Sequence, residues 1–309
     1  MMCIKERNVS DSTCKKLLRD KGCFADLCNY AFFQGRQVIQ PEELVSREND
    51  LSTLIGKVDK PTEIKRYRDV VRKASIHGEY VIIGVEHQST FDEKMIFRIL
   101  NYDATIYINQ VESKQEVYPV GSFVFYTGDK EWKSPETLKE TLKNIPPEME
   151  PYINDWRLPV VELKTIDARK LINQRLKEIV EISQSMFAGN YDDLRNNRKI
   201  EIENFMMAAT FTRTKIKRED LPEGDEINMC EAMDRLFQRF ENQGMEKGKI
   251  IGFEKGKSDT LKEQLKVKLG TLSRPLEKQL TNTSLEKLNE LTLNIFNVTS
   301  EEDVLRIIN

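Results

Sequence analysis

The stretch Tyr80-Val-Ile-Ile-Gly-Val-Glu-His-Gln88 decides how this chain is read. Val81, Ile82, Ile83 and Val85 make an apolar run of strand length covered on both faces. Alternation along a strand sends Glu86 and Gln88 to one side and His87 to the other, where a core histidine is expected. A buried strand thus delivers a carboxylate and a carboxamide to one place. Before it, Glu63 to Lys73 has strand character, and Ser75, His77 and Gly78 are turn formers. With the reversal centred on His77 and Gly78, antiparallel partners have numbers adding to 155, which sets Asp69 opposite Glu86. Two carboxylates that close repel unless a cation lies between them or one holds a proton, so the hairpin is a candidate divalent-metal site.

Towards the N-terminus, Ser10-Asp11 resembles a helix cap, and Cys14, Leu17 and Leu18 share one side of the helix predicted to follow. Phe24 to Phe33 is apolar on almost every face, with Asp26 and Asn29 as exceptions and Gly35 as its end. A buried Asp26 has two readings: a carboxylate bonded to nearby backbone or arginine, or a third acid facing the hairpin site. Arg36 to Thr62 yields only a short strand or loop. Lys57, Lys60, Lys65, Arg66, Arg68, Arg72 and Lys73 form the densest basic group of this half, suited either to a solvated strand edge or to phosphate.

Towards the C-terminus, Phe91, Met95, Ile99, Tyr102 and Ile106 recur at helical spacing through Glu112, with Arg98 and Tyr102 on one face and Asp103 next. Tyr118 to Tyr126 reads as a strand ended by Thr127-Gly128-Asp129, and Leu158 to Leu163 as another. The order helix, hairpin, helix, strand predicts an α/β fold with a mixed β-sheet flanked by helices. From Ala168 the pattern is helical over Leu171 to Phe187, Tyr191 to Phe211, and Glu226 onward. Gly244, Gly248, Gly252 and Gly256 then recur every fourth residue, each costing about 1 kcal/mol of helix stability relative to alanine. They suit a solvated linker or a close helix-helix seam between copies of the chain, and the flanking charges exclude the membrane form of that motif. The leucine-rich Leu272 to Asn309 predicts two short helices. The expected division is an α/β core over residues 1–167, a helical region packing on or extending it over 168–243, a glycine-spaced charged helix or linker over 244–270, and a small helical unit over 271–309.

Composition narrows the function. No run approaches the eighteen or so apolar residues of a membrane span, and the start lacks a signal-peptide core, so no membrane association and a cytoplasmic location are expected. The five cysteines have no paired spacing, which argues against a zinc site and a disulfide framework. A net charge of -3 leaves any nucleic-acid binding to local patches. With only two histidines, His77 and His87, a histidine general base is hard to build, and no phosphate-binding glycine loop is present.

Several of these segments together resemble a known group, the PD-(D/E)XK nuclease family transposases, relatives of the Rpn recombination-promoting nucleases of bacteria. The resemblance rests on Arg68-Asp69-Val70, Ile83-Gly-Val-Glu-His-Gln88, Met95 with Arg98, Tyr102-Asp103, and Val120 to Gly128 with Trp132. It extends to Phe24-Ala-Asp26 with Asn29, Met229-Cys-Glu-Ala232, the glycine-spaced run and the leucine-rich tail. It implies a restriction-endonuclease-like core followed by a mostly helical C-terminal region. In such a core Asp69 and Glu86 would hold Mg²⁺, with Mn²⁺ or Ca²⁺ as alternatives, and Asp26 would be the helix carboxylate. Gln88 stands where the general motif has lysine; a carboxamide can orient water but brings no charge and is no effective base. Lys94 or Arg98 could supply the missing cation, and Arg98, Arg68, Arg72 and Lys73 are the candidate phosphate-holding residues. The expected activity is metal-dependent DNA hydrolysis with little sequence preference, tied to recombination, transposition or defence, with homo-oligomerisation through the C-terminal helices. A nuclease-fold binding protein disabled by Gln88, or a helical scaffold with a small α/β head, are the competing expectations.

Overall fold

A computed structural model of the chain describes residues 4–45, 70–114 and 116–308. The backbone divides into two units, Met1–Met233 and Asp234–Asn309. The helices are α1 (Ile4–Arg19), α2 (Lys21–Phe33), α3 (Met95–Glu112), α4 (Leu138–Thr141), α5 (Gln174–Ala188), α6 (Ile202–Thr212), α7 (Met229–Leu269), α8 (Arg274–Thr281), α9 (Leu285–Asn294) and α10 (Glu301–Ile308). The strands are β1 (Val70–Ile76), β2 (Glu79–Gln88), β3 (Val120–Tyr126), β4 (Val160–Glu162), β5 (Lys199–Glu201) and β6 (Glu226–Asn228).

A four-stranded sheet in the order β1-β2-β3-β4 organises the first unit. β1 and β2 form the expected hairpin. Val70 faces Val85 and Ile76 faces Glu79, so partner numbers add to 155 across the described ladder. His77 and Gly78 both take positive φ, 52° and 88°, the conformation that lets a two-residue turn follow the twist of its strands. β3 runs parallel to β2, which requires a crossover, and α3 supplies it; β4 is parallel to β3. The sheet is therefore mixed, with β1 as its antiparallel strand.

Alternation divides the side chains between two helical layers. Val124 and Tyr126 pack beneath Met95, Ile96, Ile99 and Tyr102 of α3. On the other face Phe32 of α2 meets Phe123 edge-on at 5.5 Å, and Phe211 of α6 meets Phe125 at 6.1 Å. His87 belongs to this face, as alternation predicts: its Nδ1 lies 2.9 Å from Asp11 Oδ1 and its Nε2 2.9 Å from Thr127 Oγ1. α1 begins before Ser10-Asp11, so that pair is not a cap; the partly exposed Asp11 side chain instead meets the buried His87.

Three further differences have simple causes. α3 starts at Met95, leaving Phe91 in the preceding loop and 43% exposed. The short β5 and β6 pair with each other in segments read as helical, because three residues each cannot display a period. Leu272 to Asn309 holds three helices, since Ser284 and Ser300 begin two separate turns where leucine periodicity alone reads continuously.

The second unit has its own core, made by Leu261, Leu265, Leu272, Leu276, Leu280, Leu288, Leu291, Val298, Val304 and Ile308. Gly244, Gly248, Gly252 and Gly256 lie within helical α7, and a Cβ added at any of them would meet nothing within 4 Å. Cys14, Cys23 and Cys28 are buried free thiols and Cys230 is half-buried. No helix among the described residues is long and apolar enough to cross a membrane.

Candidate active site

The carboxyl ends of β2, β3 and β4 gather the polar residues of the sheet, the edge at which open parallel sheets usually place their ligands. Glu86 and Gln88 are each 3% exposed and point to the same side, with Gln88 Nε2 donating to Glu86 Oε1 at 3.3 Å. The side they share is the one that α3 covers. One helical turn into α3, Arg98 donates from one terminal nitrogen to Glu86 Oε1 at 2.7 Å and from the other to Asp92 Oδ2 at 3.1 Å. Burial alone would lower the Arg98 pKa, but hydrogen bonding to Tyr102 and the charge of Glu86 outweigh it, so the guanidinium is held above its ordinary value. Asp92 also accepts from the Lys94 backbone at 3.0 Å, fixing the start of α3 and the arginine on it together.

Of the two cations named for the place of the motif lysine, Arg98 lies against Glu86, whereas Lys94 is exposed just before α3. Asp69 and Arg68, with Lys57, Lys60, Lys65 and Arg66, lie outside the described residues. Asp26 is 2% exposed, and its contacts match the first of its two readings. Its Oδ2 accepts the backbone N–H groups of Ile172 and Asn173, each at 2.9 Å, and its Oδ1 accepts Gln37 Nε2 at 3.1 Å. The carboxylate thus holds the backbone just before α5, whose cap is Asn173.

Arg72 and Lys73 are engaged elsewhere. Arg72 faces Ile83, on the α1 side of the sheet, and donates to the carbonyls of Leu18 and Arg19 at 3.0 and 2.9 Å. It caps the C-terminal end of α1 and lies over the Phe24 ring, a task its charge alone could not reveal. Lys73 faces Ile82, nearer the turn than Glu86 is, with its ammonium 4.1 Å from the Tyr80 ring centroid and 3.7 Å from that of Tyr118. That placement is a cation held by two rings at the sheet edge.

Other residues at this edge had no individual signal in the sequence. Tyr126 lies opposite both Gln88 and Glu162 in the ladders and is 1% exposed. Burial, then the charges of Asp129 and Glu162, push its phenol above the ordinary value against the opposing Arg213. Gly128 is required here because any Cβ would fall on the Tyr126 ring. Trp132 packs on Tyr126 with centroids 5.0 Å apart, and its backbone N–H donates to Glu162 Oε2 at 3.2 Å. Arg213, at the end of α6, donates to the Ser89 carbonyl at 2.5 Å, just past Gln88.

Glu86, the Gln88 amide oxygen and Asp92 are oxygen donors, which suit a hard divalent cation rather than zinc or copper. Among the described residues no three His, Cys, Asp or Glu side chains cluster as a complete metal site. Arg98 stands beside Glu86 as the charge that offsets it.

No curated protein and no solved structure matches the chain. Residues 62–212 match the model of a family described as "Putative transposase, YhgA-like", a span that contains the hairpin, the crossover helix and all of the four-stranded sheet. In agreement with the resemblance carried by Asp69, Glu86 and Arg98, residues 62–212, a little under half of the chain, are similar to the YhgA-like transposase family.

Proposed function

We propose that the chain is a metal-dependent DNA endonuclease of the PD-(D/E)XK type, acting with little sequence preference in recombination, transposition or defence. The observation that carries this reading is the buried Glu86, set beside Gln88 and Arg98 at the carboxyl edge of the sheet. The similarity of residues 62–212 to a family described as putative transposases supports a DNA substrate in general. The ladder whose numbers add to 155 ends at Val70 and Val85, and it supports Asp69, the next residue in sequence, as the carboxylate that joins Glu86 in holding Mg²⁺.

In this reading Glu86 and Asp69 would hold the metal, which when bound would supply Lewis acidity and offset charge on the phosphoryl oxygens. Gln88 accepts or donates a hydrogen bond to orient the attacking water but does not take its proton. Arg98, already paired with Glu86 and Asp92, would hold a phosphate oxygen in the role the motif assigns to lysine. Asp26 acts at a distance by fixing the backbone before α5.

One observation favours a second reading, a nuclease-fold binding protein that no longer cuts. Gln88 donates to Glu86, and Arg98 pairs with it, so the carboxylate is stabilised by this chain's own groups. Plasmid nicking separates the two. The endonuclease reading expects relaxation of supercoiled DNA in Mg²⁺, abolished by EDTA and reduced at least about 100-fold in Glu86→Ala, as loss of a metal-holding carboxylate implies. Absence of nicking with Mg²⁺, Mn²⁺ and Ca²⁺ alike would leave the binding protein.

A further inference from the structure

Resting on the reading of Glu86 and Gln88 as a nucleic-acid site, we infer that the aromatic file beside them receives an unpaired base, so that the substrate class is DNA with single-stranded character. Three rings run outward from the strand end. Tyr126, across the ladder from Gln88, contacts Trp132 at 5.0 Å and an interplanar angle of 68°. Trp132 contacts Phe91 at 5.3 Å and 72°. The inner ring is 1% exposed, Trp132 is half-buried, and Phe91 presents 43% of its surface to solvent.

The outer end of this file belongs to the site's own framework. Phe91 directly precedes Asp92, which anchors Arg98, and Arg98 in turn holds Glu86. A base stacked on Phe91 therefore lies beside the residues proposed to hold its phosphate. Cations are placed to follow a backbone past the rings. Lys94, Lys130 and Lys133 are exposed and flank the two outer rings in sequence, and Lys164 reaches the Asp129 carbonyl at 3.0 Å. Acids share these segments: Asp92 is paired with Arg98, Glu131 lies 3.9 Å from Lys133, Glu162 accepts the Trp132 backbone N–H at 3.2 Å, and Glu93 and Asp129 are exposed. Aromatic faces interleaved with cations bind single strands because every base offers a π-face while the lysines follow the backbone. A duplex, whose bases are already stacked on each other, has no free face to place there.

Binding in EDTA tests this without cleavage. The full chain is titrated into fluorescein-labelled oligothymidylate and into a mixed-sequence duplex of equal length, followed by anisotropy. Trp132 emission is read in a Trp156→Phe background, which leaves it as the chain's one tryptophan. Oligothymidylate should bind more tightly than duplex and quench Trp132. Phe91→Ala should weaken the single-strand complex roughly tenfold, Phe91→Tyr should restore it, and duplex affinity should stay within about twofold throughout. Equal binding of the two DNAs, unchanged Trp132 emission at saturation, or an unaltered single-strand affinity in Phe91→Ala would each overturn the inference. If Glu86-dependent nicking persists while Phe91→Ala changes nothing, the endonuclease reading survives and the stacking site does not. If single-strand binding depends on Phe91 but no metal supports cleavage, the reverse holds.

Discussion

Replacing Arg98 by methionine removes the cation beside a carboxylate whose side chain is only 4% exposed, while keeping much of the arginine's apolar stem. Stripping one partner from a fully buried ion pair costs about 3–5 kcal/mol. Arg98 itself is 25% exposed, so water retains part of its screening role. The expected loss is therefore smaller, about 2–3 kcal/mol. The second arm, to an Asp92 that is 32% exposed, adds at most about 1 kcal/mol. For a cooperative unit of this size, each kcal/mol lowers Tm by roughly 2–4 °C, which places the Arg98→Met transition roughly 5–10 °C below wild type. Thermal and urea unfolding followed by tryptophan emission report on the first unit, which contains both Trp132 and Trp156. Glu86→Gln and the double variant complete a thermodynamic cycle. A coupling energy of about 2 kcal/mol, little changed by added salt, is expected for a pair this sheltered. A coupling below about 0.5 kcal/mol would refute the claim that Arg98 is what allows Glu86 to be buried as an anion.

Asp26→Ala should cost about 2–4 kcal/mol in urea unfolding, because two backbone N–H groups and the Gln37 amide lose a charged acceptor. A loss below about 0.5 kcal/mol would contradict its anchoring role. Tyr126 should ionise at a higher pH than an ordinary tyrosine. Because its folded pKa is raised by burial and by Asp129 and Glu162, the stability it contributes is full below the unfolded value and is lost as pH rises towards the folded one. In ultraviolet titrations the phenolate lost in Tyr126→Phe should be one that wild type forms above the ordinary tyrosine range; its appearance at or below that range would contradict the burial argument.

The hairpin was legible because a two-residue turn with glycine sets register by itself, and the register then dictates which side each residue takes. That is why the orientation of His87 and the shared side of Glu86 and Gln88 followed from alternation alone. Charge was a poorer guide. Arg72 and Lys73 are adjacent and equally basic, yet one caps α1 on the far side of the sheet and the other lies between two tyrosine rings. Which task a cation takes depends on elements remote in sequence, and no local pattern records them. Asp26 shows the same limit: its backbone partners are Ile172 and Asn173, far along the chain. Phe91 fitted a helical period that α3 does not use, and its place on the Trp132 ring depends on a loop beyond β3. The match over residues 62–212 covers the sheet and leaves the leucine core of the second unit to be read from its own packing.

The central claim, that Glu86 is a metal-holding carboxylate, is tested most directly by Mn²⁺ binding followed by electron paramagnetic resonance, comparing wild type with Glu86→Gln and Asp69→Asn. The account predicts a bound Mn²⁺ signal in wild type that Mg²⁺ displaces, with affinity falling at least about tenfold in each variant. Mn²⁺ bound equally well by wild type and Glu86→Gln would contradict it.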